Sequence, residues 1–156
     1  MFKVLNDANV TEAAKAVVYG AMLHSGQVKC ITNRIVVDGL IFFWDLQICM
    51  STERVIAQRG IADQLMAKVK ELSEGLKAGD HVNNPSSAHI GPVFTESSAA
   101  NIIEMIKEAK AEGAEVVLGD VTHKRTIVQP HILSNVKPNM RVWRRETFGP
   151  GEMHLG

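Results

Sequence analysis

At 156 residues the chain can bury one core, and its 46% hydrophobic and 22% charged content suits an ordinary globular protein. Lys plus Arg and Asp plus Glu both number 17, which argues against a nucleic-acid-binding basic surface or an acidic tail. Two cysteines make no disulfide framework, Met1-Phe2-Lys3-Val4-Leu5-Asn6-Asp7 has neither a basic region nor a long apolar run, and Leu40-Ile41-Phe42-Phe43-Trp44 is too short for a bilayer, so a soluble cytoplasmic protein without a secretory signal is expected.

Taken in order, residues 11–23 are expected to form a helix. Val10, Ala14, Val17, Val18 and Ala21 recur at helical spacing, Asp7, Asn9 and Thr11 are candidate caps, and Gly26 is a stop. Residues 28–47 differ in character. Ile35-Val36-Val37 and Leu40 to Trp44 flank an Asp38-Gly39 turn and read as a hairpin holding three of the seven Phe and Trp residues. The shift in composition marks the segment as an insertion.

A strand is expected over residues 54–58, then a helix over 61–73 with Ile61, Leu65, Val69 and Leu72 on one face and Gly75 ending it. Residues 77–88 read as a loop. A third helix over 96–112 turns Ala99, Ile102, Ile103, Ile106 and Ala109 inward, with Lys107, Glu108, Lys110 and Glu112 as its solvated face. Short strands follow over 115–118, 126–129 and 140–143, with a loop around Pro130 and Pro138. Helices alternating with short apolar strands predict an α/β layered domain, its sheet mostly parallel with flanking helices.

Six histidines show neither paired nor Cys-x-x-Cys spacing, so no metal site is expected, and Gly91, Gly113 and Gly119 form no phosphate-cradling loop. Cys49 closes a Ser25-Gly26-Gln27…Ile48-Cys49 approach and precedes the strand at Arg54, an end-of-element position where a thiol can be activated. For an arbitrary chain the plainer reading of a lone cysteine is a small buried hydrophobe. Cys30 follows Gln27 by one residue too many to share the pattern, and reads as incidental.

With residues 28–47 set aside, the junction reads Ser25-Gly26-Gln27-Ile48-Cys49-Met50-Ser51-Thr52-Glu53-Arg54. This resembles the Gly-Gln-x-Cys nucleophile motif of the NAD(P)-dependent aldehyde dehydrogenase superfamily, in wording most similar to its salicylaldehyde and vanillin dehydrogenase branch. Glu146-Thr147-Phe148-Gly149-Pro150 is similar to the family's Glu-x-Phe-Gly-Pro signature, and Ile90-Gly91-Pro92, Val116-Val117-Leu118-Gly119 and Val128-Gln129-Pro130 fall between them in the family's order.

The resemblance implies a partial catalytic domain over residues 1–151, interrupted by an insertion at 28–47 that an in-frame intron would mimic, with 152–156 a tail outside the family pattern. It implies oxidation of an aldehyde, aromatic by branch, to the acid with NAD or NADP. Cys49 would be the nucleophile and its backbone N–H an oxyanion donor. Glu146 would bind the nicotinamide ribose hydroxyls and Phe148 would pack beside the nicotinamide. The plainer reading of Glu146 is a solvated charge beside Arg144 and Arg145.

The family's Rossmann-type domain, general base and oxyanion asparagine would precede Met1, so these residues by themselves are expected to be inactive. The alternative is an interaction module that binds a full-length paralogue or itself. Residual thiol chemistry at Cys49 is a third reading.

Overall fold

A computed structural model describes residues 2–22, 52–80, 82–83, 88–147, 149 and 153–155. The hairpin read over residues 35–44, the insertion at 28–47 and Cys30, Cys49 and Phe148 lie outside the described residues.

Strand β1 (Phe2–Val4) leads to helix α1 (Val10–Met22), where Asn9 Oδ1 accepts the backbone N–H groups of Thr11 and Glu12 at 3.0 and 3.2 Å. This settles the cap among the three candidates. Strand β2 (Arg54–Ala57) and helix α2 (Arg59–Glu74) follow. Ile61, Leu65 and Val69 are buried on α2 as expected, but the last inward position is Ser73, and Leu72 is only half-buried. Helix α3 (Glu96–Ala111) is capped by Thr95, whose hydroxyl accepts the Ser98 N–H at 3.0 Å, and Met105 joins the buried face foreseen for it.

Strand β3 (Glu115–Leu118) lies where expected. The strand read over 126–129 shrinks to β5 (Ile127–Val128), paired antiparallel with an unforeseen β4 (His123–Lys124) in a separate hairpin. The loop expected around Pro130 contains β6 (Ile132–Ser134).

Residues 140–143, expected to be a strand, instead make one turn of helix, α4 (Arg141–Arg144). Tertiary contact overrides the β-propensity of Val142 and Trp143. The Arg141 guanidinium donates to Glu108 at 2.9 Å and to Asn101 at 2.7 Å, both on α3, while Met140 and Val142 are fully buried. Glu108 is thus half-buried and paired rather than part of a solvated face.

The main sheet runs β1-β2-β7-β6-β3, where β7 is Met153–Leu155. All neighbours are parallel except β3, which pairs antiparallel with β6. Residues read as a tail therefore supply the central strand. Two apolar clusters flank the sheet: α1 and α2 gather on Val55 and Ile132, while α3 and α4 gather on Leu133. Adjacent β6 residues serve opposite cores because strand side chains alternate, so the layers are helix, sheet, helix.

His131 is fully buried and locks the turn before β4. Its Nδ1 lies 2.7 Å from the Gln129 carbonyl and its Nε2 accepts the Val121 N–H at 3.0 Å, which defines the neutral imidazole protonated on Nδ1. Val121 is held at φ 53°, and Gly119, at φ 113°, leaves room for the ring: a Cβ there would stand 2.2 Å from His131. Burial lowers the His131 pKa, outweighing the smaller raising effects of the Gln129 carbonyl and Asp120. Burial alone would raise the Asp120 pKa, but hydrogen bonds from the Thr122 side chain and backbone, helped by His131, leave it lowered.

Because the folded pKa of His131 lies below the unfolded value of about 6.5, the unfolded chain takes up the proton first. The stability that neutral His131 supports is complete above that value and is lost as pH falls. Urea unfolding should lose stability as pH falls below about 6.5, with a slope from this group that stays under the one-proton limit of about 1.4 kcal/mol per pH unit, and His131→Gln should flatten the profile. Equal slopes in the two proteins would contradict it. Separately, Thr95→Ala should cost about 1 kcal/mol by the same measurement, against no loss if the cap is idle.

Candidate active site

Three consecutive residues downstream of Cys49 anchor that segment in three directions. The Thr52 N–H donates to the Gly20 carbonyl on α1 at 2.8 Å. Glu53 Oε1 accepts both hydrogens that Thr147 can offer, the backbone N–H at 2.8 Å and the hydroxyl at 3.0 Å. Arg54 opens β2 and places its guanidinium 5.9 Å from the centre of the Trp143 ring, within cation–π range. Among the described residues its buried Nε has no hydrogen-bond partner.

The second motif is gripped from both sides. Thr147 is 3% exposed, and its two bonds to a carboxylate belong to the stronger class, about 1.5–3 kcal/mol each. Gly149 is buried so closely against α3 that a Cβ would lie 2.5 Å from Ile102 Cδ1 and 3.0 Å from its Cγ1. Between and beside these anchors, Glu146 is exposed. Arg144, read as its ionic partner, instead turns Nε to the Pro138 carbonyl at 3.1 Å. An exposed carboxylate with two oxygens suits a pair of vicinal hydroxyls.

Sheet topology supports the same meeting point. Cys49 lies just upstream of β2 and the Glu146–Gly149 segment just upstream of β7, and these strands are parallel neighbours with Arg54 opposite His154. Both segments therefore enter the sheet at the same edge, the N-terminal ends of β2 and β7. Open α/β sheets more often bind ligands at the opposite edge. An apolar hollow of about 450 Å³ between α1 and α2, lined by Val18, Tyr19, Met22 and Leu72 among others, shares no residue with either segment.

Of the three residues singled out by resemblance, Glu146 is thus placed, and Cys49 and Phe148 lie outside the described residues. Sequence reasoning missed Glu53, Thr147, Arg54 and Trp143, since each falls outside the invariant positions of the two motifs. The adjacency of Glu53 to one motif and the central place of Thr147 in the other were the only signals available.

The family model described as "Aldehyde dehydrogenase family" matches residues 37–151. The chain belongs to the aldehyde dehydrogenase family. It is 36% identical over 147 residues to a salicylaldehyde dehydrogenase of Pseudomonas putida, covering 94% of this chain and 26% of that protein. A vanillin dehydrogenase of Corynebacterium glutamicum is 34% identical over 149 residues, 96% of this chain and 26% of that protein.

The structure of a salicylaldehyde dehydrogenase from Pseudomonas putida G7 complexed with salicylaldehyde superposes with a TM-score of 0.79 at 33% identity, covering 99% of this chain and 27% of that one. An NAD-dependent benzaldehyde dehydrogenase from Corynebacterium glutamicum gives 0.76 at 33% identity, covering 99% and 28%. The chain thus spans about a quarter of the length of the relatives it matches.

Gly149→Ala should destabilise the chain by about 1–3 kcal/mol, because fully buried Ile102 has little room to retreat. An unchanged urea midpoint would show that the segment does not press on α3.

Proposed function

We propose that this chain carries the nucleophile and nicotinamide-ribose portions of an aldehyde dehydrogenase that oxidises an aromatic aldehyde to its acid. The observation that carries the reading is the bond between Glu53 and Thr147, which ties the Cys49 segment to the Glu146 segment at one sheet edge. Kinship with the salicylaldehyde, vanillin and benzaldehyde dehydrogenases supports the aromatic substrate class.

In this reading the Cys49 thiolate adds to the aldehyde carbon, and the backbone N–H of Cys49 stabilises the oxyanion that forms. NAD(P)+, when bound, accepts the hydride, and water then releases the acid from the sulfur. Glu146 would hold the ribose through its hydroxyls, and Phe148 would pack beside the nicotinamide. The fit of Glu146 rests on an exposed two-oxygen acceptor held by its neighbours.

The residues read here supply neither a pyrophosphate-binding turn nor a base for the hydrolytic water, so these 156 residues by themselves are expected not to turn over aldehyde. Residues 28–47 remain, in this proposal, an insertion into a partial catalytic domain; sequencing the transcript tests that.

Competitive labelling of the intact chain with iodoacetamide, read by peptide mass spectrometry, should modify Cys49 at least about ten-fold faster than Cys30. Equal rates, or a faster Cys30, would refute the nucleophile assignment. Cys49-dependent formation of acid from aromatic aldehyde and NAD(P)+ by the chain alone would keep that assignment and overturn the expectation of inactivity.

A further inference from the structure

We infer that Glu53 is a positioning residue, whose carboxylate fixes the Glu146 segment against the Thr52-Glu53-Arg54 run. The purpose assigned to it rests on the functional reading above; the clasp itself does not.

Glu53 lies outside the Gly-Gln-x-Cys pattern, and Thr147 occupies the variable position of Glu-x-Phe-Gly-Pro. Neither is assigned a role by either motif, yet they meet across 94 positions of sequence through two hydrogen bonds to one oxygen. The bridge is stiff at both ends. On one side, Thr52 is bonded to α1 and Arg54 is committed to β2 and to the Trp143 ring. On the other, Thr147 is buried and Gly149 is wedged on Ile102.

Glu146, next to Thr147, is exposed, so its carboxylate is presented from a backbone anchored at the following residue. Two donors from a single buried residue need a strong acceptor, which explains a glutamate where an apolar side chain would strand both. Both bonds end on one oxygen, and glutamine keeps an oxygen acceptor at the same reach while alanine removes it. Glutamine can therefore substitute for the glutamate, whereas alanine cannot.

The test is residue-resolved amide hydrogen exchange on the full chain, in wild type, Glu53→Gln and Glu53→Ala, with and without NAD+. The Thr147 amide should be protected in wild type and Glu53→Gln and should exchange at least about ten-fold faster in Glu53→Ala, while α2 and α3 keep wild-type protection. Glu53→Asp withdraws the oxygens by one methylene and keeps the charge. It should expose the same amide and serves where Glu53→Ala does not fold.

Unchanged Thr147 protection in Glu53→Ala and Glu53→Asp overturns the inference, as does a loss spread evenly over α2 and α3, which would make Glu53 an ordinary part of the fold. Where NAD+ shifts the Glu146 amide resonance, the shift should survive in Glu53→Gln and vanish in Glu53→Ala; its survival in Glu53→Ala overturns positioning. Silence of wild type toward NAD+ fits a chain that supplies no pyrophosphate-binding turn, and the exchange measurement then decides Glu53 by itself.

Discussion

A single carboxylate oxygen holds together two segments that lie far apart in the chain. Glu53 Oε1 takes both the backbone and the hydroxyl hydrogen of Thr147, joining the run after Cys49 to the run after Glu146. Without such an acceptor, two buried donors would be left unpaired and the second segment would lose its side-chain bond to the run that opens β2. Pairing of β2 with β7 sets the same neighbourhood from the backbone, so side chains and sheet register agree.

The rest of the fold serves to hold that edge still. Five strands, four of them mutually parallel, separate a core built on α1 and α2 from one built on α3 and α4. The segment bearing Gly149 lies directly on α3, and α3 is in turn braced by Arg141 through Glu108 and Asn101. Far along the chain, the turn carrying Val121 owes its unusual backbone to the neutral imidazole of His131. The Glu53–Thr147 and Arg141–Glu108 contacts both join parts of the chain far apart in sequence.

That pattern explains what could be read from the residues and what could not. Helical periodicity located α1, α2 and α3 because their apolar positions repeat locally, at Ala14 and Val17, at Leu65 and Val69, and at Ile102 and Ile106. The family was legible because Gly-Gln-x-Cys and Glu-x-Phe-Gly-Pro are short and rigid in wording. Strands were less legible: β1, β6 and β7 are three residues long and take their state from partners elsewhere. The turn at α4 was misread because nothing in Arg141-Val142-Trp143-Arg144 announces that Arg141 will find Glu108. The Glu53–Thr147 bond was invisible for the same reason: no local pattern encodes a contact across the whole chain.

The proposed function requires that Cys49 and Glu146 face a common space. The most direct measurement is intramolecular cross-linking in a Cys30→Ser, Glu146→Cys chain, using a short bifunctional thiol reagent and reading the product by mass spectrometry. The account predicts a single bridged species joining Cys49 to the thiol at position 146. Two separately capped thiols, with no bridge formed under conditions that modify both, would contradict it.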